Sequence, residues 1–201
     1  MKTDFDYTND LRWLPCSEIH KKFGVSPNWF VNVLLTFVDK TRLERYKIAI
    51  ETGTFEAYTT ECFAELFDEV HTSEKYVTGN SYTSINLLEK YKLLKNKHNH
   101  VNFYTGDSTD FLKYILPIIS QPYVILLDAH NANSSPIKEE LIIIKENTKV
   151  KDIILMIDDC ADVGTGTWPN QQELEKLILD INPNFKIKYT QLGRNILIAY
   201  E

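Results

Sequence analysis

Two sets of acidic residues in this chain stand at the ends of apolar runs, where a buried side chain gives way to solvent. Tyr123-Val124-Ile125-Leu126-Leu127 leads into Asp128-Ala129-His130, and Ile153-Ile154-Leu155-Met156-Ile157 leads into Asp158-Asp159. If the two runs are neighbouring strands they lie about 4.8 Å apart, so Asp128 and one of Asp158 and Asp159 converge. Carboxylates gathered in a half-buried place repel, and the repulsion is relieved by a raised pKa or by a cation with oxygen ligands. Mg²⁺ or Mn²⁺ suits such a set, because a few carboxylates leave positions for water and substrate. The alternative is structural: Asp159 caps a turn and Asp158 makes a backbone bond. His130 stands on a loop two residues beyond Asp128 and has the chemistry of a general base near neutral pH, or is incidental there.

The earlier strand ends carry a second group of residues. Glu51-Thr52-Gly53-Thr54-Phe55 follows the run Lys47-Ile48-Ala49-Ile50 and places a glycine where backbone can pass close to a ligand. Residues 53, 55 and 58 are Gly, Phe and Tyr, so the three-glycine turn that cradles a dinucleotide pyrophosphate is missing, as is a Walker A lysine. Glu74 lies about 20 residues beyond Gly53, the spacing at which an acidic side chain accepts from ribose hydroxyls; otherwise it is a solvated glutamate at a helix start. Gly106-Asp107-Ser108 follows Val101-Asn102-Phe103-Tyr104 and offers hydrogen bonds to an adenine edge, although Asp107 and Ser108 also suit the cap of a helix beginning near Thr109. A nucleoside held by Glu74 and Asp107 without a phosphate cradle points to S-adenosylmethionine, whose cationic sulfonium fits an acidic pocket.

These residues need a scaffold, and the periodicity supplies one. Apolar runs at 47–51, 69–72, 101–104, 123–128 and 153–158 alternate with helical segments near 57–67, 83–96, 109–119 and 137–147, which gives a parallel sheet with right-handed crossovers. Residues 170–182 form a helix with Leu174, Leu177, Ile178 and Ile181 on one stripe and Asn170 three residues before Glu173 in a capping arrangement. Phe185 to Gln191 and Asn195 to Tyr200 close the chain as a hairpin around Leu192-Gly193-Arg194. From Ser17 to Arg45, Phe23, Trp29, Phe30, Val33, Leu34, Phe37 and Val38 recur at helical steps as an amphipathic lead-in, with Trp29 expected in the core. The expected fold class is α/β: a Rossmann-like, doubly wound, mostly parallel seven-stranded sheet with a C-terminal antiparallel hairpin and an N-terminal helical cap. The 201 residues fit one domain, with 1–46 as cap and 47–201 as core.

Composition narrows the partners. The chain carries 22 Lys and Arg against 28 Asp and Glu, a net charge of −6, so no general positive field gathers phosphates and nucleic acid is not an expected partner. No apolar run approaches the roughly 20 residues that span a bilayer, and the first residues lack a signal peptide's apolar stretch, so the expected setting is cytoplasmic and without a membrane. Cys16, Cys62 and Cys160 are odd in number and form no CxxC pair, which favours free thiols.

Ile50-Glu51-Thr52-Gly53-Thr54-Phe55, Gly106-Asp107-Ser108, Leu127-Asp128-Ala129-His130, Ile157-Asp158-Asp159 and the final hairpin together resemble the class I S-adenosylmethionine-dependent methyltransferases, over roughly residues 47–201. Within them the two acidic sets look like the metal-dependent sugar O-methyltransferases of the macrocin and mycinamicin type, where the histidine stands three residues after the aspartate rather than two. The resemblance implies Asp128, Asp158 and Asp159 as metal ligands and His130, with Asp128, as catalytic residues. It makes Glu51, Gly53, Glu74 and Asp107 cofactor contacts, together with their neighbours Thr52, Thr54, Gly106 and Ser108 and with Asp128. It also suggests a sugar or glycan acceptor, such as a deoxyhexose like rhamnose.

The implied reaction is an in-line displacement in which a substrate hydroxyl attacks an activated methyl, helped by a metal that lowers the hydroxyl pKa and by a base at His130. The Val163 to Pro169 loop and the N-terminal helices with Trp13 and Trp29 would form a lid, and Trp168 offers a flat apolar face for a sugar ring. Packing against the next helix is the other use for Trp168. Three rivals stand beside this reading: a metal-dependent glycosyltransferase, a non-catalytic binding module, and a methyltransferase with a catechol-like or other non-sugar acceptor. Oligomeric state is left open, with a homo-oligomer compatible.

Overall fold

A computed structural model of the chain describes residues 28–75, 87–130, 134–191 and 195–201. Trp13 and Cys16, the lead-in before residue 28 and the hairpin tip at Leu192-Gly193-Arg194 lie outside the described residues.

The strands form one sheet. In chain order they are β1 (Ile48–Thr52), β2 (Glu69–Glu74), β3 (Val101–Thr105), β4 (Tyr123–Leu127), β5 (Ile153–Ile157), β6 (Lys186–Tyr189) and β7 (Leu197–Tyr200). Their order across the sheet is β3-β2-β1-β4-β5-β7-β6, with β1 to β5 parallel and β7 antiparallel to both β5 and β6. β1, β4 and β5 have every residue buried, which is why β4 and β5 read as continuous apolar runs rather than as alternation. The expected seven-stranded sheet with its antiparallel hairpin is therefore present.

Helices cover both faces. On one face α5 (Ser108–Ile115), α6 (Ile137–Asn147) and α7 (Gln171–Ile181) pack Leu112, Ile115, Leu141, Ile144, Leu174 and Ile178 onto Ile50, Ile125, Leu155 and Leu197. On the other, α1 (Trp29–Phe37) and α3 (Tyr58–Ala64) pack Phe30, Val33, Leu34 and Phe63 onto Ala49, Val124, Met156 and Ile198. α4 (Leu87–Lys97) lies near β3, where Tyr91 stacks on Phe103. Even and odd strand positions thus face different cores, as the pleat requires.

Helix ends follow local chemistry. Asn170 caps α7 by accepting from the Glu173 amide at 3.0 Å, in the arrangement its spacing implied. The segment expected as helix over 109–119 gives α5 and then a 3₁₀ turn, Leu116–Ile118, where Pro117 cannot continue the α-helical ladder. The lead-in is not one helix up to Arg45. It breaks at Val38, whose backbone is extended, and Asp39 starts the four-residue α2 (Lys40–Leu43) by accepting from the Arg42 amide at 2.9 Å.

Two expectations fail here. Trp29 is 38% exposed, and Phe30 takes the buried place because the helix turns that side of its stripe to the sheet. Cys62 is disulfide-bonded rather than free, while Cys160 is a free, buried thiol. Among the described residues no helix is long and apolar enough to cross a membrane.

At the edge of the sheet where β1 and β5 begin, Asp152 binds the Tyr46 hydroxyl at 2.5 Å and the Arg45 guanidinium at 2.6 Å, so this acid is matched by cations. The carboxyl edge is built differently. Because Leu155 is fully buried in β5 between both helix layers, Leu155→Ala is expected to cost about 2–5 kcal/mol in urea unfolding. Ile142→Ala, on the exposed side of α6, should stay within about 0.5 kcal/mol of wild type.

Candidate active site

In this sheet the chain winds one way from β1 to β3 and the other way from β4, so the crevice at the carboxyl ends of β1 and β4 is the natural ligand position. The register places Thr52 beside both Ser73 and Leu127, and Leu127 beside Ile157, so the loops after four strands start at one level.

The loop after β1 is held by its neighbours. Gly53 has φ +84°, and a Cβ on it would stand 2.2 Å from the Asp128 carbonyl oxygen, so glycine is demanded by the protein's own backbone. The Gly53 and Thr54 amides both donate to the Ser73 carbonyl at 2.9 Å. The Phe55 amide donates to Glu74 Oε2 at 2.8 Å, and the Tyr91 hydroxyl donates to the Phe55 carbonyl at 2.6 Å. Phe55 and Ala57 have φ +42° and +59° in the left-handed region, which costs a residue other than glycine about 1–2 kcal/mol each. Strain of this kind concentrates at functional sites.

Glu51 sits beneath that loop with 1% exposure. Its Oε2 accepts from the Thr60 hydroxyl at 2.5 Å and the Thr72 hydroxyl at 2.7 Å, and Thr72 in turn lies 2.6 Å from the Thr54 hydroxyl. Burial pushes the Glu51 carboxyl up to about 7, against the two hydroxyls, which favour the charged form. This acid, expected to touch a cofactor, thus anchors β1, β2 and α3 from inside.

Glu74 ends β2 and Gly106 follows β3, with the Gly106 amide donating to the Glu74 carbonyl at 3.1 Å. Gly106 has φ +146°, and nothing lies within 4 Å of where its Cβ would be, so this loop borders open space. Asp107 occupies the cap position of α5 but its side chain makes no capping bond; it pairs instead with Lys75 at 2.8 Å. The Asp107 side chain therefore does not cap α5.

The ends of β4 and β5 meet at His130. Its Nε2 lies 2.6 Å from Asp159 Oδ2 and its Nδ1 lies 3.8 Å from Asp128 Oδ1. Its ring meets Trp168 edge to face, with centroids 5.4 Å apart. Asp159 holds this place with φ +51°, and Asp158 donates its amide to the Leu127 carbonyl at 3.1 Å. Burial, then the charges of Asp158, Glu51, Asp159 and Glu140, hold the Asp128 carboxyl well above the usual carboxylate range. The convergence read from the two acidic sets is real. Its charge is met in part by an imidazole.

Trp168 both packs on the α5 to α7 core and faces His130. Its loop is tied down: the Gly164 amide donates to the Pro169 carbonyl, the Trp168 amide to the Thr165 carbonyl, and the Ser135 amide to the Thr167 hydroxyl. Gly164 and Gly166 serve φ values of +84° and +53° in that bonded loop.

The donor chemistry of Asp128, Asp158 and Asp159 suits a hard cation. Among the described residues no group of three or more His, Cys, Asp and Glu side chains is placed to hold a metal ion. A cation here would compete with His130 for Asp159.

Glu140 and Tyr91 escaped the sequence reading. Glu140 is buried, with its Oε1 lacking a hydrogen-bond partner among the described residues, and burial pushes its carboxyl up to about 7. Its signal was available: it falls between Ile137, Leu141 and Ile144 on the apolar stripe of its helix.

The sequence matches no family model, and no curated protein matches it. Solved structures do match. The O-methyltransferase TomG of Streptomyces achromogenes, involved in tomaymycin synthesis and determined with S-adenosylmethionine, superposes with a TM-score of 0.61 at 15% identity over 95% of this chain and 89% of that one. A Staphylococcus aureus protein assigned as a caffeoyl-CoA O-methyltransferase gives 0.54 at 18% identity over 92% and 96%. A Podospora anserina methyltransferase bound to S-adenosylhomocysteine gives 0.52 at 16% identity over 77% and 72%. The fold is that of the class I methyltransferases. The likeness is one of backbone, since at these identities few side chains are shared.

Glu51 and Glu140 both have carboxyls raised from 4.5 to about 7 in the folded chain. Between those two pH values the unfolded chain has released protons that the folded chain keeps, so each group lowers stability as pH rises through this window. Glu51→Gln removes one such group. Its stability relative to wild type should therefore improve from pH 4.5 to pH 7, as read by urea unfolding at several pH values. A constant difference across that range would show that Glu51 is ionised throughout.

Proposed function

We propose that the chain is an S-adenosylmethionine-dependent O-methyltransferase whose acceptor is a carbohydrate hydroxyl and whose base is His130. The observation that carries the reading is the His130–Asp159 pair at 2.6 Å, standing beside Asp128 at the carboxyl edge of a methyltransferase-type sheet. Cofactor-bound neighbours of the same fold support the cofactor, and the insertion of β7 between β5 and β6 favours a methyltransferase over a glycosyltransferase.

The cofactor's place fits the residues present. Glu74 would face the ribose, Gly106 leaves room for a base, and Asp107 with Lys75 borders it, while Thr52, Gly53, Thr54 and Ser108 shape the floor. When bound, S-adenosylmethionine supplies an electrophilic methyl group. His130 does the remaining work. With its Nε2 proton donated to Asp159, the lone pair of Nδ1 faces Asp128 and takes the proton from an acceptor hydroxyl. Trp168 would seat the acceptor ring beside the imidazole.

The sugar acceptor, with a deoxyhexose such as rhamnose as the narrower suggestion, rests on the sequence resemblance and on that aromatic face. A non-sugar small molecule is the alternative, favoured by the likeness to the structure assigned as a caffeoyl-CoA O-methyltransferase, and a homo-oligomer remains compatible with either. Metal assistance is a second reading. It is favoured by the crowding that raises the Asp128 carboxyl, which Mg²⁺ or Mn²⁺ held by Asp128, Asp158 and Asp159 would relieve.

Titration with S-adenosylhomocysteine tests the cofactor reading first: at 100 times its dissociation constant it should stabilise the fold by about 2.7 kcal/mol. Methyl transfer to a panel of deoxyhexosides and catechols then names the acceptor class. His130→Ala should lower kcat by about 10²- to 10⁴-fold with cofactor affinity nearly unchanged, and Asp159→Asn should do so to a lesser degree. Activity that survives EDTA excludes the metal reading. Failure to bind S-adenosylhomocysteine, or full activity of His130→Ala, overturns the proposal.

A further inference from the structure

The loop between β1 and α3 is fastened from outside by one hydroxyl. Phe55, in the middle of that loop, has φ +42° and is 50% exposed, so burial of its ring does little to offset a left-handed backbone. Its own peptide groups hold it instead. The Phe55 amide donates to Glu74 Oε2 at 2.8 Å, and the Phe55 carbonyl accepts from the Tyr91 hydroxyl at 2.6 Å. The amide and the carbonyl of one residue flank its φ and ψ, so bonding both fixes the turn.

Tyr91 comes from α4 and is itself fixed. It is 6% exposed, and its ring stacks on Phe103 of β3 with centroids 4.7 Å apart and planes 8° apart. Leu87, Tyr91 and Leu94 fall on one face of α4 and pack with Ala57, the buried residue that also has a left-handed backbone in this loop. A phenylalanine at position 91 would keep the stack and the packing. What the hydroxyl adds is a donor, and because a carbonyl can only accept, the direction of its bond to Phe55 is set. At the other end of the arrangement stands Glu74, the last residue of β2 at the carboxyl edge. An amide bonded to one oxygen of its carboxyl group restricts how that group can turn.

We propose that Tyr91 is a positioning residue for the cofactor's ribose: through the Phe55 peptide it sets the angle at which Glu74 presents its carboxyl group to the ribose hydroxyls. The inference rests on the cofactor reading above and deepens it by naming what orients the ribose contact. Tyr91 acts only through these two residues.

Tyr91→Phe removes the hydroxyl and leaves the ring. The variant should fold, its Phe55 amide should exchange with solvent about 10-fold faster than in wild type by NMR, and the Asp128 amide, bonded to Thr52, should keep its rate. Its affinity for S-adenosylhomocysteine should fall about 10-fold in calorimetric titration, with KM for S-adenosylmethionine rising more than kcat falls. Glu74→Ala alone should lower the same affinity. Adding Tyr91→Phe to it should change affinity by less than about two-fold, because the hydroxyl then has no carboxyl group left to orient. Leu94→Ala loosens the same face of α4 without touching the hydroxyl, so it should lower Tm and keep affinity within about three-fold of wild type. Losses that multiply in the double variant, an unchanged exchange rate at Phe55, an affinity loss in Leu94→Ala equal to that in Tyr91→Phe, or a Tyr91→Phe chain that does not fold each overturns the proposal. A wild-type chain that does not bind S-adenosylhomocysteine overturns the cofactor reading and this inference with it, whereas wild-type affinity in Tyr91→Phe overturns the inference alone.

Discussion

The backbone of Gly53 crosses the carbonyl of Asp128 so closely that one added carbon would stand 2.2 Å from its oxygen. This contact fixes how near the loop after β1 comes to the loop after β4, and those two loops flank the point where the winding of the sheet reverses. Around it the Gly53 and Thr54 amides fasten to Ser73, the Asp128 amide fastens to Thr52, and Phe55 fastens to Glu74. The left-handed residues Phe55 and Ala57 are sustained by the same bonds. A crevice of defined width at the carboxyl edge follows from these backbone contacts before any ligand is considered.

The edge so defined is acidic, and the fold bears the cost of that. Asp152, at the far edge, lies against Arg42 and Arg45. Glu51 is met by two hydroxyls and Asp128 by one imidazole, and burial holds their carboxyls and that of Glu140 above the usual range. Replacing such acids by apolar groups of similar size is often neutral or stabilising, so their presence is better explained by function than by stability. A cationic cofactor, a base that needs an orienting acid, or both, would give them that function. Trp168 and His130, packed edge to face over the same place, add the apolar surface that an acceptor ring requires.

Much of the fold was legible because it depends on local rules. Continuous apolar runs at 123–128 and 153–158 could only be strands buried on both faces, and the structure buries every residue of β4 and β5. Asn170 before Glu173 marked the start of α7, and the closing hairpin marked the antiparallel edge. Where long-range packing chose between equal local options, the sequence was silent or misleading. Trp29 and Phe30 are adjacent and both apolar, and only the rotation of α1 on the sheet decided that Phe30 is buried. The lead-in broke at Val38 because the chain had to turn toward β1. Cys62 gave no local sign of being paired.

The candidate site divides in the same way. Residue type and order along the chain determined that Asp128, His130, Asp158 and Asp159 would stand at strand ends, because strands end where apolar runs end. Which of them touch was decided by tertiary structure: the left-handed backbone of Asp159 brings its carboxylate to His130, and Glu51 turns inward to Thr60 and Thr72. Glu140 belongs to this second kind, since only the packing of its helix on the sheet decides that one acid on an apolar stripe is buried. Sequence fixes what a side chain can donate or accept and roughly where along an element it falls; which partner it meets depends on packing between segments far apart in the chain, and no local pattern encodes that.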